Sequence, residues 1–197
     1  MNYISLVSED ELSENVMTRI LKSFPNKYEI ANTYLGHGYG YLKSKIRGFN
    51  QASVCQPFFM LTDLDLYECP LALIADWIDF NKHKNFIFRV AVREVESWLL
   101  ADKEGLSRFF SLSVVNFPDS PDSLSDPKNT LINLARKSRK RHIREDIVPI
   151  NSNASIGPNY NSCLSDFVFN HWDLQNALVR SKSLCRTWER LGQFEAK

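Results

Sequence analysis

The sequence has no apolar run approaching the ~20 residues that span a bilayer. Its first residues, Met1-Asn2-Tyr3-Ile4-Ser5-Leu6-Val7, meet the acids Glu9, Asp10 and Glu11 without the basic start and long apolar stretch of a secretory signal. These absences predict a soluble, cytoplasmic protein with no membrane partner. Excess charge of either sign is also missing: 24 Lys and Arg stand against 23 Asp and Glu, a formal net charge of +1. A polycation that coats nucleic acid and an acidic tail are thereby excluded, and phosphate chemistry must rest on local clusters. The four cysteines, Cys55, Cys69, Cys163 and Cys185, lack metal-ligand spacing and read as reduced, mostly buried thiols. The glycine-rich run 36–40 is not followed by Gly-Lys-Ser/Thr, so it is no P-loop and ATP hydrolysis by this chain is not expected. Internal repeats and low-complexity tracts are absent.

What is present is enough for a core. In 197 residues, 44% are hydrophobic and 24% charged, the balance of a soluble globular protein. Apolar runs at Tyr3–Val7, Tyr28–Tyr34, Pro57–Thr62 and Phe86–Val90 predict four short strands. Between them, helical spacing covers Glu11–Phe24, a short basic stretch around Tyr41–Arg47, and Pro70 to about Phe80, with a further helix over Ala91–Ala101. Strand–helix alternation predicts an α/β fold with a central, mainly parallel sheet flanked by helices. Beyond Gly105 the texture changes. A Pro- and Ser-rich loop over 116–129 precedes a basic helix over Thr130–Arg144 and helices over Cys163–Asn170 and Leu174–Leu191. The expected organisation is an α/β core over 1–105 and a helical C-terminal extension over 106–197, packed as one unit.

Open parallel sheets place their chemistry beyond the carboxyl ends of the strands. Glu9 follows the first strand there, Asp63 and Asp65 follow the third, and Glu96 lies about one and a half helical turns beyond the fourth. Converging carboxylates call for a hard cation, Mg²⁺ or Mn²⁺. Each acid also has a structural role open to it. Ser8 could cap the first helix, with Glu11 completing a capping box. Asp63-Leu64-Asp65 could be a turn, or could keep both acids on one face if the strand geometry persists. Glu96 could be a surface acid paired with Arg93.

A glutamate after the first strand and an aliphatic strand ending in Asp-x-Asp resemble the Toprim fold of topoisomerases, primases and OLD-family nucleases. The segment Arg93-Glu94-Val95-Glu96-Ser97-Trp98-Leu99-Leu100-Ala101-Asp102 resembles a motif of small stand-alone bacterial Toprim-like proteins, often encoded beside ABC-type ATPases in phage-defence settings. Pro127-Lys128 and Gly157-Pro158-Asn159-Tyr160-Asn161 are similar to that group too. The resemblance implies that Glu9 is a general acid/base or metal-positioning residue and that Asp63 and Asp65 hold Mg²⁺ (or Mn²⁺). Glu96 would serve a second metal or orient water. Glycine commonly follows the Toprim glutamate; Asp10 stands there, which leaves Glu11 as the alternative first acid. The implied activity is phosphodiester hydrolysis by an anti-phage effector with an ATPase partner. The alternative is a non-catalytic Toprim-like regulatory or scaffold subunit that binds an ATPase or nucleic acid. A primase- or topoisomerase-like activity is disfavoured, since the chain lacks room for accessory domains.

Substrate contacts are expected from Lys128, Arg136, Lys137, Arg139, Lys140, Arg141 and Arg144, a run uninterrupted by acids that could track a DNA or RNA backbone. A solvated helix face is the other reading of this run. Lys43, Lys45 and Arg47 could add to it. Arg89 interrupts an apolar strand and needs an anionic partner, either a core carboxylate or a phosphate. Trp77, Trp98, Trp172 and Trp188 are expected in the core.

Overall fold

A computed structural model describes residues 1–36, 39–151 and 153–196. It divides into two compact units, Met1–Val92 with Arg186–Lys197, and Arg93–Cys185. The boundary thus falls at Val92/Arg93 where the sequence suggested residue 105, and the last residues of the chain belong to the first unit. The shift has a local cause. Glu94 is extended and a new helix starts directly behind the fourth strand, so the change of architecture precedes the change of composition.

The first unit is α/β. Its sheet is all-parallel, built from β1 (Asn2–Ser8), β2 (Tyr28–Leu35), β3 (Phe58–Asp63) and β4 (Phe86–Ala91) in the order β2-β1-β3-β4. The runs that announced these strands are buried: Ile4 to Ser8, Phe58 to Thr62 and Phe86 to Phe88 are covered, as central parallel strands require. Only β2, at one edge, stays largely exposed. Helices α1 (Glu11–Leu21), α2 (Tyr39–Ala52) and α3 (Pro70–Trp77) connect the strands. Leu42 and Ile46 of α2 and Leu73 and Trp77 of α3 pack with Val7, Phe58, Met60, Leu64, Phe86, Phe88 and Val90 in one core cluster. The C-terminal residues join this unit through Trp188, which stacks on Phe24 at 5.2 Å and donates to Ser23 Oγ, and through Tyr28, whose hydroxyl donates to Leu191 O at 2.6 Å.

Local details correct several expectations. The helix cap is Asp10, not Ser8: Asp10 is extended and accepts from the Ser13 N–H at 2.8 Å, because the strand runs through Ser8. The second helix begins at Tyr39 rather than Tyr41; His37 and Gly38 of the glycine-rich run lie outside the described residues. Of the nearby cations, Lys43 pairs with Asp76 at 2.6 Å and Arg47 with Asp79 at 2.7 Å. None of the four cysteines forms a disulfide among the described residues; Cys55 is exposed and the others are half-buried. Trp77, Trp98 and Trp172 are buried, whereas Trp188 is partly exposed.

The second unit is helical: α4 (Val95–Leu100), α5 (Lys103–Phe110), α6 (Pro127–Arg136), α7 (Arg141–Ile147), α8 (Tyr160–Asn170) and α9 (Leu174–Arg180), with α10 (Lys182–Gly192) starting in it. The expected loop over 116–129 begins at the end of a one-turn 3₁₀ segment (Val114–Asn116) and holds a second at Pro121–Ser123, then the first turn of α6. The single basic helix expected over Thr130–Arg144 is two helices. Ser138 breaks it: buried, it donates from Oγ to Phe110 O at 2.6 Å and accepts from the Lys140 N–H at 3.1 Å, a pairing that helix geometry would forbid. Ser181 likewise separates α9 from α10, its Oγ accepting from the Leu184 N–H at 3.2 Å. Asp102 fixes the start of α5. Buried, it accepts from the N–H groups of Gly105 at 3.0 Å and Asp173 at 2.7 Å, and burial raises its pKa. Among the described residues no helix is long and apolar enough to cross a membrane.

Candidate functional site

The strand order makes β1 and β3 neighbours although β2 separates them in sequence. The connection from β1 leads to one side and that from β2 returns to the other, so the topological switch point lies between the carboxyl ends of β1 and β3. Crevices of this kind are where open α/β sheets bind ligands. Glu9 directly follows β1 and Asp63 closes β3. They meet there: Glu9 Oε1 accepts from the Thr62 hydroxyl and from the Asp63 N–H at 3.3 Å. Burial raises the pKa of Glu9; the bonds from Thr62 and Asp63 oppose that, and the charges of Asp65 and Asp10 add to it. A carboxylate disfavoured by desolvation and neighbouring acids gains most from a cation.

Asp65 does not share the strand face with Asp63. The strand ends at Asp63, Leu64 turns into the core, and Asp65 adopts a left-handed conformation with φ 47° on an exposed turn. A short polar side chain tolerates that conformation, which favours the turn reading of this residue. Glu11 is exposed in the first turn of α1, so Glu9 is the acid that engages β3. Among the described residues no group of three or more His, Cys, Asp or Glu is assembled for a metal. The oxygen-only donors still suit Mg²⁺, which keeps several waters and needs only one or two carboxylates beside substrate phosphates.

Glu96 lies in the second unit and is no surface acid. It is 2% exposed, on a helix whose residues Val95 to Leu100 are all buried. Two motifs converge on it. Pro127 opens α6 and brings Lys128 Nζ to 3.6 Å from Glu96 Oε1 and 3.9 Å from Glu94 Oε1, while the Lys128 N–H donates to Glu94 Oε2 at 2.9 Å. Gly157 lets the chain press against α7, where an added Cβ would stand 2.3 Å from Asp146 O. Asn159 then donates from Nδ2 to Asp146 Oδ1 at 2.8 Å. That contact sets the start of α8 and directs the Tyr160 hydroxyl to Glu96 Oε1 at 2.8 Å. Oε2 of Glu96 is buried without a hydrogen-bond partner among the described residues. Burial pushes the Glu96 pKa up to about 6, with Glu94 adding and Lys128 and Tyr160 opposing. A carboxyl poised there can give or take a proton near neutral pH.

The basic residues have different surroundings. Arg136, Lys137 and Arg139 are exposed around the α6–α7 junction. Arg141 pairs with Glu145 at 2.7 Å and Arg144 donates to Ser138 O. Lys128, grouped with them in the sequence, faces acids instead. Thr62, Glu94 and Tyr160 were not singled out as functional side chains. Their signals were a hydroxyl near the end of an apolar strand, an acid two residues before Glu96, and the Gly-Pro-Asn-Tyr-Asn motif. Of the two partners expected for Arg89, a carboxylate or a phosphate, no carboxylate pairs with it among the described residues; it is half-buried and its Nε donates to Thr187 Oγ1 at 3.2 Å.

No protein-family model, curated protein or solved structure matches the chain.

Proposed function

We propose that the chain is a Toprim-like, Mg²⁺- or Mn²⁺-dependent nuclease that hydrolyses nucleic-acid phosphodiester bonds, with anti-phage defence beside an ABC-type ATPase as its setting. The observation that carries this is the contact between Glu9 and the Asp63 N–H at the switch point of a parallel sheet. Asp63 and Glu9 are the residues that would hold the cation, with Asp65 on the adjoining turn. When bound, the cation supplies neutralisation of the phosphoryl oxygens and acidification of water. Glu9, held by Thr62 and destabilised as an anion by burial, is suited to accept a proton. The exposed cations Arg136, Lys137 and Arg139 suit a phosphate backbone. Glu96 lies in the second unit, and its contribution is tested on its own.

Incubating the protein with Mg²⁺ or Mn²⁺ and duplex DNA, single-stranded DNA, RNA or tRNA tests the reading, beside an Asp63→Ala/Asp65→Ala variant and a Glu96→Gln variant. Metal-dependent cleavage lost in the double variant is expected. Equal cleavage by both proteins contradicts the assignment. Absence of cleavage even with the ATPase present favours the non-catalytic scaffold.

A further inference from the structure

The helical unit contains a concavity of about 440 Å³ that none of the carboxylate sites uses. It is lined by Gly105, Arg108, Phe109, Lys140, Asn170 and His171, which come from α5, the α6–α7 junction and the end of α8. Lys140 Nζ stands 5.7 Å from the Phe109 ring centroid, and the His171 ring lies 5.1 Å from the same ring. An ammonium and an imidazole thus lie against one aromatic side chain, and Arg108 and Asn170 complete the lining.

The residues that line this hollow include two cations, Arg108 and Lys140, and no acid. Arg108 and Lys140 have no ion-pair partner among the described residues, whereas neighbouring Arg141 and Lys103 are paired. Asp166 neighbours the lining, 3.7 Å from His171 Nε2 and accepting from Asn170 Nδ2 at 2.8 Å. Asp102, which feels the charge of Arg108, is already occupied by two backbone N–H groups. Two cations therefore face the hollow, and the nearby acids Asp166 and Asp102 are both engaged elsewhere.

We propose that this pocket seats a phosphate group of a nucleic-acid strand. Convergent nitrogen donors match the several acceptor oxygens of a phosphate, and Arg adds a planar fork suited to it. The volume suits a nucleotide-sized group and is too small for the face of a folded protein. Lys140 also continues directly into the exposed Arg139, Lys137 and Arg136, so a strand held here has its neighbouring phosphates beside further cations. The inference rests on the nucleic-acid part of the function proposed above and is independent of the cleavage chemistry.

Fluorescence anisotropy with a short labelled oligonucleotide, as single-stranded DNA and as RNA, tests it in EDTA, where metal-dependent cleavage is silent. An Arg108→Ala/Lys140→Ala variant is expected to bind at least about tenfold more weakly, and its log K against log salt slope should fall by about 1.4, two phosphate contacts at ~0.7 each. Circular dichroism checks the fold, and Lys140→Gln alone should give about half the slope change. Competition by a nucleoside monophosphate, in the wild type only, identifies a free nucleotide as an alternative source of the same phosphate; inorganic phosphate gives the minimal ligand. Unchanged affinity and slope in the folded variant, or no binding by the wild type, overturns the inference. Cleavage that survives with unchanged binding removes the pocket alone; lost binding in the pocket variant without any cleavage removes the nuclease reading alone.

Discussion

Tyr160 donates its hydroxyl to Glu96 Oε1 at 2.8 Å, joining two motifs 64 residues apart inside the helical unit. Both groups are buried, so neither can replace the bond with bulk water. Tyr160→Phe should cost about 1–3 kcal/mol in urea unfolding at neutral pH, the cost of leaving a buried acceptor under-satisfied. It should also raise the Glu96 pKa, since the bond favours the ionised form.

Glu96→Gln tests the pH linkage. With its pKa raised from 4.5 to about 6 in the folded state, Glu96 binds its proton more tightly there than in the unfolded chain. Its stabilising contribution is full below pH 4.5 and is lost as pH rises through about 6. The loss is about 2 kcal/mol by pH 7.5, at ~1.4 kcal/mol per unit. Unfolding measured across this window should show the wild type losing stability relative to Glu96→Gln as pH rises; parallel curves would contradict the assignment.

Gly105→Ala should be among the most damaging small substitutions. The added Cβ would meet Asp102 Oδ2 at 2.0 Å, and Asp102 ties together the starts of α5 and α9. Displacing it should cost about 3 kcal/mol or more, combining overpacking with disturbed buried hydrogen bonds. Thermal unfolding measures this directly.

Asp10→Ala separates the two capping schemes. Loss of its bond to the Ser13 N–H should cost about 1 kcal/mol in chemical unfolding. Ser8→Ala should cost less, because among the described residues the Ser8 hydroxyl reaches only Asp10 O, at 3.2 Å.

The α/β class and four strands were legible because central parallel strands are nearly continuous apolar runs ending at polar residues, as Phe58–Asp63 does. The same endings located Glu9 and Asp63 at the sheet edge. The conformation of Asp65 was not legible, since Asp serves strand ends and left-handed turns alike. Glu96 was harder still. Helical spacing assigns Val95, Trp98 and Leu99 to an apolar side, but α4 is buried on every side, and what covers it is fixed by α6 and α8, far along the chain. Ser138 and Ser181 break helices by side-chain bonds to the local backbone, which composition and periodicity do not register.

Manganese binding, followed by the loss of the free-ion electron paramagnetic resonance signal, tests the central claim most directly. Wild-type protein should bind Mn²⁺, and Glu9→Gln/Asp63→Asn, which removes both switch-point charges while preserving side-chain shape, should weaken that binding at least about tenfold, since each carboxylate is worth ~1 kcal/mol or more to a hard cation. Equal Mn²⁺ binding by the folded variant and the wild type would contradict a metal site at Glu9 and Asp63.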